Sequence, residues 1–365
     1  MSSKINITIL VAPLDWGLGH ATRCIPLIRY LTSSGCKVLI AAEGAQEKLL
    51  KTEFPQLNFM RLPGYDIQYA NSKRFFAIKI LQQLPKILIA IRKEKKWLKN
   101  LLENSKIDAV ISDNRYGLYH ADIRSIFITH QLVIKAPFGI FEKMLKLFNY
   151  KLIENFHECW LPDFSEQQNL AGVLSHPGIL PAISTTYLGG ISRLKKVDNS
   201  INKYDFLIVI SGPEPQRTNL ENKLLKQLRE FKGKAMLVRG LPNSKTIIAS
   251  TNFLKIKNHL NAAEMEKAFT ESNFIISRSG YTTVMDICKL QKKSILIPTP
   301  GQTEQEYLAK HLEKQGWCLA ANQEDFNLNE QLIKANNFKF LLPELDMEAY
   351  QGVLDKFIET LRNKK

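Results

Sequence analysis

Short runs of aliphatic and β-branched residues alternate with helix-like patterns along this chain, and the alternation starts twice. The first series covers 5–12, 37–42, 57–62, 108–112 and 125–129; the second covers 205–210, 234–239, 274–277 and 294–298. A strand that is apolar along its whole length has no face to show to water and must be covered on both sides. Joined through helices, such strands imply a parallel sheet with helical layers above and below it. Between the first two runs Cys24, Leu27, Ile28 and Leu31 recur at i, i+3, i+4 and i+7, the stripe of an amphipathic helix that Gly35 closes. The expected fold class is α/β: two Rossmann-like, doubly wound parallel-sheet domains facing across a cleft at the carboxyl ends of their strands.

A length of 365 residues suits two domains of ordinary size. The stretch 180–200 is rich in Gly, Ser, Pro and Lys and separates the two series. The expected division is a first domain at 1–188, a linker at 189–202 and a second domain at 203–342. Residues 343–365 form a helical tail that packs back on the first domain.

Composition narrows the function classes. With 45% hydrophobic and 23% charged residues the chain is globular. Cys24, Cys36, Cys159, Cys288 and Cys318 are scattered, odd in number and never in a C-x-x-C arrangement. That argues against a disulfide framework or structural zinc and for a reducing compartment. The start lacks a signal-peptide pattern, and no apolar segment reaches the roughly 20 residues that span a bilayer, so a cytoplasmic protein is expected. A net charge of +15 fits nucleic acid, an anionic membrane surface or anionic substrates. No nucleic-acid-binding motif is present, so nucleic acid is not an expected partner. Lysines and arginines alternate with apolar and aromatic residues over 73–106 and 135–151. Two readings of these segments stay open: ordinary surface helices, or basic amphipathic helices at the inner face of the cytoplasmic membrane.

The chemistry should sit in the turns from strand to helix. After the strand at 274–277 comes Ser277-Arg278-Ser279-Gly280-Tyr281-Thr282-Thr283, small and hydroxylated at the mouth of a helix, where amide N–H groups and the helix dipole suit a phosphate. Asp286 follows within the first turns, where a carboxylate can accept from sugar hydroxyls. After the strand at 294–298 a second polar loop carries Glu304, Gln305 and Glu306. The first strand of the second series ends in Ser211-Gly212-Pro213-Glu214-Pro215-Gln216-Arg217, where Ser211 and Gly212 could approach a diphosphate and Arg217 could neutralise it. In the first half the turn is Gly17-Leu18-Gly19-His20. It places His20 at a helix N-terminus, where the dipole favours a neutral imidazole able to accept a proton. Asp113, Arg115 and His130 fall at the carboxyl edge of the first sheet, on the side of a second substrate. Asp113 and His130 there could be bases, hydroxyl-binding groups or loop supports.

His20, Arg217, Gly280, Asp286 and Gln305 together resemble the GT-B glycosyltransferases, in particular the MurG-like family that uses UDP-N-acetylglucosamine. The closest likeness is Ser277-Arg278-Ser279-Gly280-x-x-Thr283-Val284-x-Asp286, continuing to Pro298 and Gln305; it is specific over about 270–320 and weaker before. The resemblance implies that Asp286 binds ribose hydroxyls, the backbone around Gly280, Tyr281 and Thr282 holds the diphosphate, and Glu304, Gln305 and Glu306 contact the donor sugar. Ser211 to Arg217 correspond to the family's glycine-rich turn, and Gly17 to His20 to its N-terminal glycine loop. Asp15 and Trp16 stand where the family has a denser glycine run, and Asp286 is one methylene shorter than the family's glutamate.

The implied function is transfer of a sugar from a UDP-sugar to an acceptor hydroxyl, with no cofactor and no metal, and with a lipid-linked or otherwise anionic acceptor. Three other readings compete. A sugar-nucleotide epimerase or hydrolase of the same fold would share the donor site, and a non-catalytic nucleotide-sugar-binding protein at the membrane would turn nothing over. A nicotinamide oxidoreductase would need a completed G-x-G-x-x-G, and the glycine series here is incomplete.

Overall fold

The computed structural model describes residues 7–65, 76–136, 138–195, 202–242 and 244–363, with the side chains of 76–82 excluded. The chain divides into two compact units. The second is the continuous stretch Ser192–Leu345, apart from a short segment outside the described residues, and Asp346–Lys365 belongs to the first. Of the stretch expected as a linker, 196–201 lie outside the described residues, as do Lys73, Arg74 and Phe75 of the first basic segment.

The first unit is built on seven parallel strands: β1 (Thr8–Pro13), β2 (Lys37–Ala42), β3 (Asn58–Arg61), β4 (Ala109–Asp113), β5 (Arg124–Ile128), β6 (Glu158–Leu161) and β7 (Ser184–Tyr187). Their order in the sheet is β3-β2-β1-β4-β5-β6-β7. Helices α1 (Leu18–Ser33), α2 (Gly44–Glu53), α3 (Phe76–Asn104) and α4 (Gly139–Ile153) make the crossovers. β1 is buried at every position, as a central strand covered on both faces must be. Leu10, Leu39, Val110, Leu98 and Leu101 pack in one cluster and Phe127, Ile153, Phe156 and Leu161 in another. Each such side chain contributes about 1.5–3 kcal/mol by leaving water.

The second unit repeats the scheme with six parallel strands: β8 (Tyr204–Val209), β9 (Ala235–Val238), β10 (Leu254–Lys257), β11 (Ser272–Ser277), β12 (Lys293–Leu296) and β13 (Leu319–Ala320). Their order is β10-β9-β8-β11-β12-β13. The helices are α5 (Gln216–Leu228), α6 (Ala262–Thr270), α7 (Tyr281–Lys289), α8 (Thr303–Lys314) and α9 (Leu328–Asn337). Phe206, Ile208, Leu224, Leu237, Ile276 and Ile295 form its core. α6 starts on a capping box, Asn261 accepting from the Glu264 amide while Glu264 accepts from Asn261.

The last helix, α10 (Tyr350–Arg362), returns to the first unit. Tyr30 of α1 donates to Asp355 at 2.7 Å, and Trp160 of β6 meets Phe357 edge to face at 5.1 Å. The segment leading into α10 crosses Gly189 so closely that an added Cβ there would lie 2.9 Å from the Asp346 carbonyl oxygen. With φ at +73° as well, only glycine suits that crossing.

Candidate active site

In the first unit the topology itself assembles a constellation. β1 and β4 are neighbours where the strand order reverses, with Pro13 opposite Asp113, so the loops leaving them open side by side. Gly17, at φ 97°, turns the chain from β1 into α1 and puts His20 in the helix's first turn. Asp113 at the end of β4 is fully buried, and its Oδ1 lies 3.0 Å from His20 Nδ1. Arg23, one turn further along α1, donates from Nε to Asp113 Oδ2 at 2.6 Å and from Nη2 to Oδ1. Its Nη1 is 3.0 Å from Nδ1 of His130, which follows β5, the next strand over.

Burial lowers the pKa of His20 and Arg23 lowers it further, against the opposing pull of Asp113, so the imidazole is neutral at physiological pH. Burial alone would raise the Asp113 carboxyl, but Arg23 and His20 together hold it far below the ordinary range. An ionised carboxylate only accepts, so it orients His20 by accepting a hydrogen bond from Nδ1–H and leaves Nε2 as the basic nitrogen. His20, Asp113 and His130 therefore come together. Arg23, which joins them, was not among the residues expected from sequence; its i+3 spacing from His20 was the available signal.

Arg115 is not part of this group. Its Nε donates to Glu94 of α3 at 2.7 Å, and its other nitrogens hold the Pro13 and Pro63 carbonyls. Glu94 also accepts from Tyr65 at 2.7 Å and from the Gly117 amide at 2.9 Å. The expectation of an acceptor-side Arg115 is corrected: a guanidinium sealed in an ion pair with the carbonyls of its own loops shapes those loops. Gly19 accepts from Thr22 Oγ1 at 2.9 Å.

The second unit places its loops by the same rule. β8 and β11 are neighbours at the order reversal, with Val209 opposite Ser277, so the Ser211–Gly212 turn and the Arg278–Gly280 turn open together. Gly212 adopts φ 107°, and Ser211 and Gly212 are exposed. α7 starts at Gly280 with no side-chain cap, so the positive end of its dipole faces outward uncapped. A Cβ at Gly280 would meet only Thr283 Oγ1, at 4.0 Å, which shows room in front of the helix. Tyr281 is buried in the unit, whereas Thr282 is only partly so. Gly280 has φ −70°, so Gly280→Val folds without backbone strain but fills this space. The expected result is a melting temperature within a few degrees of wild type and UDP affinity lower by about tenfold or more, read by calorimetry; unchanged affinity would place the phosphate elsewhere.

Two arginines expected in the donor site have their donors engaged within the loops. Arg278 is buried, with Nη1 on the Ile297 and Pro298 carbonyls at 3.2 Å, Nη2 on Gln216 O at 2.9 Å and Gln323 Oε1 at 2.5 Å, and Nε on Ser211 O at 3.4 Å. Arg217 donates to Glu214 at 2.5 Å, to Glu221 at 2.6 Å and to Thr218 at 2.6 Å, and Glu221 also holds Arg239. Both clamp their loops, because donors spent on carbonyls and carboxylates hold the loops together. Ser279 Oγ donates to the Gln305 carbonyl at 2.7 Å, tying the first loop to the second. Gln305 Oε1 accepts from the Thr299 amide at 2.9 Å, and Glu306 accepts from Gly301 at 3.2 Å. Glu304 and Glu306 lie in the first turn of α8.

Asp286 is buried and accepts from Ser192 Oγ at 2.6 Å. Burial raises its pKa to about 6, against the opposing pull of nearby Arg193 and the Ser192 hydroxyl. Ser192 and Arg193 were not expected from sequence, since nothing marks them apart from other residues of a Gly/Ser/Lys stretch. Raised in the folded state, the Asp286 pKa makes this group's contribution largest below about pH 4 and lost as pH rises through about 6. Its full span is about 3 kcal/mol. Chemical denaturation at pH 4.5 and 7.5 should show a fall in stability that is smaller in Asp286→Asn by about 2 kcal/mol; equal falls would contradict the raised pKa of the buried carboxyl.

Among the described residues no group of three or more His, Cys, Asp or Glu side chains is placed to hold a metal ion, and no helix is long and apolar enough to cross a membrane.

Comparison with known proteins agrees with this geometry. Residues 217–347 match the glycosyltransferase family 28 C-terminal domain. The UDP-N-acetylglucosamine--N-acetylmuramyl-(pentapeptide) pyrophosphoryl-undecaprenol N-acetylglucosamine transferase of Caldicellulosiruptor saccharolyticus is 24% identical over 346 residues, covering 90% of this chain and 86% of the relative. The enzyme of the same name from Clostridium tetani is 22% identical, covering 94% of each. Among solved structures, Acinetobacter baumannii MurG superposes with a TM-score of 0.55 at 15% identity over 98% of this chain and 99% of its own. The spinosyn rhamnosyltransferase SpnG, complexed with thymidine diphosphate, superposes with a TM-score of 0.62 at 12% identity over 98% and 96%. The chain is thus a glycosyltransferase of the GT-B fold, and its residues 217–347 are similar to the family 28 C-terminal domain.

Proposed function

We propose that this chain moves N-acetylglucosamine or a related hexose from a UDP-sugar to an acceptor hydroxyl, without a metal ion. The observation that carries the reading is the buried Asp113 carboxylate that orients a neutral His20 at the switch point of the first sheet. A carboxylate-oriented imidazole is built to take a proton from a hydroxyl, which a binding module does not need. As the acceptor oxygen bonds to the anomeric carbon, its proton passes to His20 Nε2 and the bond from that carbon to the diphosphate oxygen breaks. The departing electron pair stays on the diphosphate. The N-terminus of α7 and the backbone at Gly212 and Gly280 suit that growing charge. Asp286 would accept from ribose hydroxyls, and Glu304, Gln305 and Glu306 would face the sugar.

The relatives named above use a lipid-linked acceptor by their own names. In support of such an acceptor here, Ile140, Met144 and Leu147 form an exposed apolar row along α4, with Phe138 before it and Lys143 beside it. An apolar row flanked by lysine suits an anionic bilayer, so the proposal includes peripheral contact with a membrane.

The test is incubation of the purified chain with labelled UDP-N-acetylglucosamine, with and without a polyprenyl-diphosphate-linked sugar acceptor. Label appearing on the acceptor supports the reading. Free sugar or an epimer formed without acceptor would move it to the hydrolase or epimerase, and binding without any turnover to the binding protein. A thermal shift with UDP and none with GDP, ADP or dTDP identifies the base.

A further inference from the structure

Arg23 carries a charge that burial penalises, at 2% exposure, one helical turn from the proposed base. We propose that Arg23 is a positioning residue for His20, fixing which ring nitrogen carries the proton and keeping the ring neutral over the working pH range. The inference rests on His20 as the base.

The geometry sets the roles. Arg23 spans three elements: it stands on α1, takes both oxygens of Asp113 at the end of β4, and reaches His130 after β5. Three of its N–H donors are thereby matched to acceptors. Asp113 Oδ1 and Arg23 Nη2 both approach His20 Nδ1, at 3.0 and 2.8 Å. An unprotonated Nδ1 would face the full negative charge of the carboxylate as well as Arg23 Nη2, which already donates to Asp113 Oδ1. Because the guanidinium fork keeps Asp113 ionised, Nδ1 carries the hydrogen and donates it to Oδ1, and Nε2 keeps the lone pair.

The second effect is electrostatic. The groups facing His20 are Asp113 from β4, Arg23 from its own helix and His130 from the loop after β5. Burial is the largest influence and disfavours the imidazolium. Of the neighbouring groups Asp113 favours the imidazolium, and Arg23 and His130 oppose it. Without Arg23 the carboxylate loses its main charged opponent, and a like charge lost at such a distance moves a titration by about 1 unit or more.

The experiment is a histidine NMR titration of the full chain labelled with ¹⁵N and ¹³C at histidine, with the His20 signals assigned by their absence in His20→Asn. Wild type should show the Nδ1–H tautomer and a midpoint below the ordinary histidine value. Arg23→Gln should raise that midpoint by about 1 unit or more. Arg23→Lys, which keeps the charge without the fork, should leave it near wild type. An Nε2–H tautomer in wild type, or a midpoint that Arg23→Gln leaves in place, overturns the proposal. If Arg23→Gln does not fold, the wild-type tautomer and Arg23→Lys still decide it. These signals need no turnover, so the expected titration combined with a fully active His20→Ala would retire the base and leave Arg23's effect on the ring standing.

Discussion

His20→Ala lowers the rate of sugar transfer about 10²–10⁴-fold, the usual contribution of a positioned general base. The protein should remain folded. His20 is 14% exposed, and Asp113 keeps its fork from Arg23, so no buried charge is orphaned. The thermal shift given by UDP should also survive, because the loops proposed to hold the nucleotide belong to the other unit. Separation of these two readouts is the informative part: loss of rate with retained UDP binding locates the defect in proton removal. In wild type the acidic limb of the rate profile should lie below pH 6.5, because the His20 pKa is lowered. A variant retaining a third or more of the wild-type rate would remove His20 from the mechanism.

Arg278→Met removes nucleotide binding altogether and destabilises the chain by several kcal/mol. The guanidinium holds carbonyls at Ser211, Gln216, Ile297 and Pro298 and the side chain of Gln323, drawing together the loops that follow β8 and β12. Methionine matches its volume but donates nothing, and each acceptor left dry costs about 1–3 kcal/mol before the loops relax. Arg278→Lys keeps the charge but cannot span five acceptors, so it should recover part of the stability and little of the binding. Denaturant midpoints and UDP titration by calorimetry check both. If Arg278→Met kept wild-type stability and lost only UDP affinity, Arg278 would be a direct phosphate ligand after all.

The central strands were legible because they are uniformly apolar: β1, β4, β5, β8 and β11 were all visible as runs. β7 and β10 were not, because neither carries an apolar run. Ser184–Tyr187 is hardly buried, and Leu254–Lys257 alternates with exposed lysines, as an edge facing water allows. β6 and β13 were too short to stand out. Within the site, glycines and hydroxyls at strand ends were readable, since their conformational reasons are local. The pairing of His20 with Asp113 was not, since 93 residues separate them and only strand order brings them together. Arginines mislead for a related reason. In sequence Arg217 looks like an anion ligand and Arg115 and Arg278 like substrate-side residues, and only the positions of Glu94, Glu221 and the loop carbonyls show their donors engaged within the fold.

Because α10 lies on the first unit, the two units differ in when they can be completed during synthesis. Ser192–Leu345 is continuous and can close as soon as it clears the ribosome. The first unit must wait with the surface around Tyr30 and Trp160 uncovered until 346–363 arrive. Its uncovered apolar surface thus stays open to aggregation until late in translation, longer than that of the second unit.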